Sequence, residues 1–381
     1  MKTDYDVIVA GGGLAGLTTA LLLARKKKRV LLIEKKSYPF HKVCGEYISN
    51  EILPFLKSVG FDPYRYGASS INSLRISTPR GKNYKINLDS GGFGLSRYTM
   101  DDALYRLALE NGADVITGER VTDIAFLQNH FNVTTHSGKI ISAKIVTGSY
   151  GKRDVLDKKL NRDFIKYHTG YMGVKYHVKT NYPADEIGLD NFEGGYCGIV
   201  KIEEDRYNIC YLYRRSHRHS FDSIRDLEEK ILFKNPVIRN MFHNAQFISE
   251  EPLVINEISF APKKLVENHI IMCGDSAGLI APLCGNGMSM AVHAARLLCD
   301  SLLQPGILDK PAFSVSERRE AEENYCRLWN KHFKSRLAWG RGLQRMFGNT
   351  AVTGFSIRLI HAVSPLERWV ISRTHGAPVL S

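Results

Sequence analysis

The amino-acid sequence predicts an α/β chain, α+β overall: a parallel sheet with an inserted β-meander, a second lobe built on an antiparallel sheet, and a helical C-terminus. Three observations predict it. An apolar strand at the amino end runs through a glycine-rich loop into a helix; a second strand, glycine loop and helix follow Asn268; and two stretches between them alternate apolar and polar residues at the period of a strand. With 381 residues, 44% hydrophobic and 24% charged, the chain has the composition of a globular protein with a sizeable core. Its length exceeds the roughly 250 to 300 residues at which a single core stops growing, so two lobes are expected. No run reaches the ~18 uninterrupted apolar residues of a membrane-spanning helix. The start MKTDYDVIVAGGG reads as strand and loop rather than as a signal peptide, which makes a cytoplasmic location the expectation.

Asp6 to Ala10 (DVIVA) is the first strand, and LTTALLLARKKKR after Gly16 has helical composition with a basic end. Gly11, Gly13 and Gly16 between them satisfy G-x-G-x-x-G. The first glycine allows the turn, the second lets a pyrophosphate approach the backbone, and the third lets helix and strand pack closely. VLLIEKK then reads as the second parallel strand. Glu34 at its end stands 23 residues beyond Gly11, where a carboxylate accepts hydrogen bonds from an adenosine ribose and disfavours a 2′-phosphate. Strand, turn, helix and acid together indicate a dinucleotide site of Rossmann type, without separating NAD from FAD.

The separation comes from NHIIMCGDSAGLIAPLCGNGMSMAVHAARLLCDSLL, a second strand, Gly-Asp turn, glycine loop and helix. Here the sequence resembles the para-hydroxybenzoate-hydroxylase-like flavoproteins, within the glutathione-reductase-type Rossmann group, and among them the geranylgeranyl-reductase-like branch. Three segments carry the resemblance: the N-terminal glycine loop, RYTMDDAL at Arg97 to Leu104, and Gly274-Asp275 through Met288. The resemblance implies an FAD-binding Rossmann-type parallel sheet. It also implies that Asp275 binds a ribityl hydroxyl, that the loop Pro282, Gly285, Asn286, Gly287 and Met288 approaches pyrophosphate and flavin ring, and that Arg97 belongs to the FAD surface. Ala15, Lys35, Cys44, Gly45 and Val121 are expected on that surface with Gly11, Gly13, Gly16 and Glu34. A carboxylate suits ribityl hydroxyls, and the positive end of a helix starting near Gly287 suits the electron-rich pyrimidine side of a reduced flavin.

Residues 1–70, 89–165 and 265–311 are expected to form the FAD-binding domain. RVTDIAFLQNHFNVTTHSGKIISAKIVTG is its meander, with turn signals at Gln128-Asn129 and Ser137-Gly138. Residues 71–88 and 166–264, with HTGYMGVKYHVKT and GGYCGIVKIEEDRYNICYLYRR, form the substrate-binding lobe, a sheet standing as a wall over the flavin. Residues 312–381 form the helical C-terminal region.

Two departures from the family pattern matter. The stretch after the meander, Ser149-Tyr150-Gly151-Lys152-Arg153-Asp154, keeps the glycine but lacks the acid and serine associated with NAD(P)H in the hydroxylases. FHKVCGEYIS, at Phe40 to Ser49, instead resembles the Cys-Gly-acid stretch that the reductase branch places beside the flavin. The candidate catalytic residues are accordingly Cys44 as a thiol acid, Glu46 as an acid or base if desolvation raises its pKa, and Tyr196 on the strand Gly195-Tyr196-Cys197-Gly198-Ile199. That strand stands where geranylgeranyl reductases carry a Tyr and Trp pattern ending in proline. Seven cysteines without a C-x-x-C pair and thirteen histidines without H-E-x-x-H indicate neither a disulfide framework nor a metal site.

The net charge of +13 is scattered in short clusters such as Arg25 to Arg29, with no nucleic-acid-reading motif, so nucleic acid is not an expected partner. The expected function is an FAD-dependent oxidoreductase, monooxygenase-type, acting on a hydrophobic or aromatic small molecule of polyketide or isoprenoid kind. NADPH or NADH is the expected electron donor, and a redox partner protein is the alternative source. The alternative reaction is geranylgeranyl-reductase-like double-bond reduction. From another class, a non-catalytic binder of membrane surfaces or nucleic acid would use the net charge. Arg327 to Arg345, with Trp329, Phe333, Trp339 and Phe347 interleaved, is the segment that would give peripheral membrane contact.

Overall fold

The first strand, Tyr5–Ala10, is buried along nearly its whole length and pairs in parallel with Val30–Glu34 on one side and Ile140–Gly148 on the other. Strands covered on both faces need no alternation, which is why DVIVA and VLLIE are continuous apolar runs. The computed structural model describes residues 3–215, 220–280, 285–304, 306–346 and 378–379, and for 343–346 the backbone only. Among these, eight strands form the first sheet. Asp114–Thr117 closes one edge, and Ile270–Met272 with Val266–Glu267 closes the other. Helix Leu14–Arg25 packs between Arg97–Glu110 and Gly287–Leu303.

The meander takes the form its turn signals indicate. Val121–Leu127 and His130–Thr135 join through Gln128 and Asn129, both with positive φ, and Ile140–Gly148 returns in parallel to the first strand.

Nine strands make the second sheet, running from Gln246–Phe247 through Tyr171–Lys179, Tyr207–Arg214, Gly195–Lys201 and Glu186–Phe192 to Ser69–Ser77, Asn83–Gly94 and Tyr47–Ser49. Leu253–Ile255 also pairs with Tyr171–Lys179. All pairs are antiparallel except Glu186–Phe192 with Ser69–Ser77, between which the chain runs through Arg97–Glu110 and the meander, so no hairpin forces opposite directions. The sheet also reaches past the expected 71–88, taking in Tyr47–Ser49 and running to Gly94. The glycines of DSGGFG, just past the expected boundary, lie at a register shift opposite Ile71 to Ser73, so the strand bulges and continues.

Alternation gives this sheet two faces. Met172, Val174 and Tyr176 join Cys197, Ile199, Ile209 and Tyr211 in a core against helices Ile224–Lys230 and Pro236–His243. Gly173, Lys175 and His177, with Asn208, Leu212 and Tyr196, lie on the opposite face, toward the first domain.

Helix Val315–Met346 buries Ala321, Tyr325, Trp329, Phe333 and Leu337 in the core of the first domain, a stripe at helical spacing. Arg318 at its start is fully buried, donates to the Asn129 side chain and to the carbonyls of Asn129 and Lys144, and is ringed by Phe126, Phe131 and Phe313. Trp329 and Phe333 therefore hold the helix down and are not available to a lipid surface. Trp339 is 41% exposed, and Phe347 lies outside the described residues. Among the described residues no helix is long and apolar enough to cross a membrane.

Candidate functional site

At Gly11, Gly12 and Gly16 the glycine loop leaves no room for side chains, whereas Gly13 has open space on its Cβ side. A Cβ on Gly16 would overlap the Gly11 carbonyl, and one on Gly12 would overlap the Tyr38 hydroxyl, which donates 2.5 Å to the Gly12 carbonyl. Gly11 has φ +107°, which L side chains rarely adopt. Gly16→Val is expected to pry helix from strand at a cost of about 1–3 kcal/mol and to abolish flavin uptake. Thermal unfolding and the flavin absorbance of purified protein check this, and a yellow variant of ordinary stability would contradict it. Glu34 is buried and accepts from the Gly12 amide at 2.7 Å and from the Lys36 amide at 3.1 Å, which aims its carboxylate at the loop. Lys35 points away from it, to Asp154, which caps the short helix Val155–Lys159.

Arg97, at the start of Arg97–Glu110, grips Asp101 with two hydrogen bonds of 2.7 Å, and its guanidinium lies 3.9 Å from where a Gly13 Cβ would stand. Burial alone would weaken such a cation, but Asp101 more than offsets it and holds Arg97 above its ordinary pKa. The i, i+4 pair is therefore interior, not a surface bridge. Lys42 joins it, 2.8 Å from Asp101 and 3.3 Å from the Gly12 carbonyl. Arg97 and Lys42 thus stand at the loop as two cations, with Asp101 between them and Glu34 on the loop's other side. Lys42 escaped the sequence reading because nothing in FHKVC distinguishes it from the surface lysines around it. The helix Leu14–Arg25 adds its own positive end, with no acid in its first turn.

The Gly274–Ser276 turn comes to the same place because the Ala15 methyl packs against Gly274, where an added Cβ would be 2.8 Å away. Ser276 ties this turn to Gly151, donating 3.1 Å to its carbonyl and accepting 3.0 Å from its amide. Lys263, buried across the Phe164 ring, donates to the carbonyls of Asp275 and Lys152, and burial brings its pKa down to about 8. Helix Gly287–Leu303 begins beside the turn, again with no acid in its first turn, and Asn286 and Met288 are buried there. Gly285 lies over the Tyr47 ring. Pro282 lies outside the described residues. Val121 is buried at the start of the meander.

Residues 35–46 have no regular secondary structure, and the wall sheet holds their last part from behind. Asn208 donates to the carbonyls of Cys44 and Gly45, and Lys175 to that of Lys42. Gly45 faces outward, with nothing within 4 Å of where its Cβ would be. Cys44 is half-buried with a free thiol. The raised carboxyl expected at Glu46 is not what the structure holds. Glu46 is fully buried with φ +55°, and accepts from Lys175 Nζ at 2.5 Å, His177 Nε2 at 2.7 Å and the Arg97 amide at 2.7 Å. Burial pushes its pKa up, but Lys175 and His177 overcome this and bring it to about 2. A depressed pKa means stability that is present above the ordinary value of 4.5 and lost as pH falls toward about 2. Glu46→Gln is expected to flatten stability against pH across that window, and an unchanged acid limb in denaturant melts would contradict it. Lys175 and His177 were missed because their partner is far away in sequence.

Tyr196 is buried with Leu212, Ile258 and Leu279, flanked by Tyr171, Leu189, Ile255 and Phe260. This cluster joins the wall to the loop after Gly274. A cleft of about 500 Å³ at Tyr5, Lys28 and Asp114 opens at the opposite ends of the parallel strands, away from the glycine loop.

These residues fit an FAD. The loop is too tight for side chains at Gly11, Gly12 and Gly16 and open at Gly13, and two helix starts without acids converge on it with Arg97 and Lys42. Open space lies at Gly45, whose carbonyl accepts from Asn208 of the wall sheet. A family model described as FAD binding domain matches residues 6–41. The chain is 23% identical over 345 residues to a digeranylgeranylglycerophospholipid reductase of Methanococcus vannielii, covering 87% of this chain and 85% of that one. Its fold matches a geranylgeranyl bacteriochlorophyll reductase-like protein from Thermoplasma acidophilum, with TM-score 0.73, 17% identity, and 98% and 92% of the two chains covered. It also matches a flavin-dependent brominase, with TM-score 0.77, 16% identity, and 97% and 93% covered.

Proposed function

We propose that this chain, an FAD-dependent oxidoreductase similar over most of its length to a digeranylgeranylglycerophospholipid reductase, belongs with the geranylgeranyl-reductase-like flavoproteins and saturates carbon–carbon double bonds in a hydrophobic, isoprenoid-like substrate. The observation that carries this reading is the placement of Cys44: a free, half-buried thiol beside the open position at Gly45, in a segment the wall sheet grips by its backbone. The similarity to the Methanococcus vannielii reductase over most of the chain supports reduction over the oxygen insertion that the sequence reading put first.

FAD, when bound and reduced, supplies the hydride equivalent. Arg97, Lys42 and the two helix starts would hold its pyrophosphate, and Glu34 would accept from the adenosine ribose. Asp275, on a turn fixed by Lys263 and Ser276, would accept from the ribityl hydroxyls. The buried cluster of Tyr196, Leu212, Ile258 and Leu279 would back the site with packed apolar side chains and keep water from it. The Cys44 Sγ gives its proton to one alkene carbon while the other receives hydride, so two hydrogens are added and no oxygen. NADPH or NADH recharges the flavin, with a redox partner protein as the other source of the electron pair. Peripheral membrane contact for collecting the substrate belongs to the same reading. Arg327, Lys331 and Lys334 form an exposed stripe on the C-terminal helix, near Trp339.

The test is product mass. FAD-loaded protein, reduced anaerobically by NADPH, NADH or dithionite, is mixed with a geranylgeranyl-bearing lipid. A gain of two hydrogens per double bond supports reduction. A product one oxygen heavier, formed only when air is admitted, would replace this reading with the monooxygenase.

A further inference from the structure

We propose that Glu46 is a positioning residue which, through Lys175 and His177, sets the substrate wall and the cofactor clamp from one carboxylate and biases the flavin's reduction potential. This rests on the reading of the Gly45 opening as the place of the flavin ring. Glu46 ties together two separate parts of the fold. Lys175 and His177 belong to one strand of the wall, two residues apart and so on the same face, and both reach its carboxylate. The Arg97 amide, at the start of the helix that carries the Arg97–Asp101 pair, donates to the same oxygen as Lys175. The backbone of Glu46 completes the junction, its carbonyl accepting from Leu95 at 3.1 Å.

The chain adopts a left-handed backbone at Glu46, a conformation a glutamate resists, and the three donors hold it there. The preceding Gly45 is thereby turned outward, and Lys175 simultaneously fastens the Lys42 carbonyl. A purely structural interior site would be served by apolar residues at less desolvation cost. What a buried carboxylate and ammonium add is a fixed field beside the opening, with Lys42, Arg97 and Asp101 as the other charges around it.

The experiment uses FAD-loaded full-length protein and reads flavin affinity by fluorescence and midpoint potential by dye equilibration. Glu46→Gln removes a negative charge and is expected to raise the potential. Lys175→Met removes a positive one and is expected to lower it. Each is expected to weaken FAD binding about tenfold, because a buried donor or acceptor loses its partner. The double variant is expected to return toward wild type in both measures. If the Glu46 or Lys175 variants do not fold, His177→Leu and His177→Gln are compared, and only the glutamine, which keeps an N–H donor, should restore affinity. Potentials that stay unchanged or shift with the same sign in the two charge variants, or a His177→Leu protein with wild-type affinity, would overturn the inference alone. A wild-type protein that takes up no FAD would overturn the reading of the site beneath it.

Discussion

Cys44→Ser is expected to lower turnover by about two to three orders of magnitude while the protein keeps its FAD, the range over which a positioned general acid contributes. The substitution is nearly isosteric, and the contacts that hold the segment run through backbone carbonyls of Lys42, Cys44 and Gly45, so geometry should survive. A hydroxyl is a far weaker acid than a thiol and cannot deliver the proton that must accompany hydride. Single-turnover oxidation of the reduced flavin by substrate isolates that step from recharging by NADPH or NADH. Wild-type single-turnover rates in a variant with full FAD content would remove Cys44 from the mechanism.

Arg97→Leu is expected to cost about 3–5 kcal/mol of stability and most of the FAD affinity. Asp101 is 1% exposed, and without the guanidinium its carboxylate keeps, among the described residues, only Lys42 as an ion-pair partner. Burial would then raise a pKa that Arg97 and Lys42 together now hold below the ordinary range. The two effects separate in the double variant Arg97→Leu with Asp101→Leu, which should recover stability in urea melts but not flavin binding. Recovery of both would mean that Arg97 serves packing alone, and loss of neither in the single variant would mean that the pair serves nothing. Arg97→Lys is expected to fall between wild type and Arg97→Leu, since an ammonium keeps the charge but cannot reproduce the two-pronged contact.

Much of the cofactor half was legible in the residues. Gly11 read as a turn and Gly16 as close packing of helix on strand, and the structure has Gly11 at φ +107° and the Gly16 position against the Gly11 carbonyl. The turns at Gln128-Asn129 and Gly138 read correctly because left-handed residues announce themselves by type. The second sheet was legible as strands but not in its extent. Whether the glycines at positions 91, 92 and 94 end a strand or bulge it depends on what lies opposite.

Electrostatics divided along the same line. The i, i+4 spacing of Arg97 and Asp101 is visible in sequence, yet it looks the same on a surface helix as in an interior one. Glu46 shows the limit most clearly. Desolvation and ion pairing act on a carboxyl in opposite directions, and the sequence revealed burial as a prospect without revealing Lys175 and His177, which stand 129 and 131 residues away.

By itself, the sequence determined the class of fold, the first glycine loop with the acid at the end of the next strand, the second glycine turn, the meander and the strand alternation of the wall. These are local matters of period, glycine conformation and spacing, which the chain carries wherever it is placed. The tertiary structure alone decided which face of Tyr171–Lys179 meets residues 42–46, that Lys42 joins Arg97 over the loop, that Gly45 opens outward, and that Glu46 is an anchored carboxylate and not a raised acid. Those outcomes turn on distances between residues far apart in the chain, and charge energies depend on distance and burial, neither of which is written in residue order.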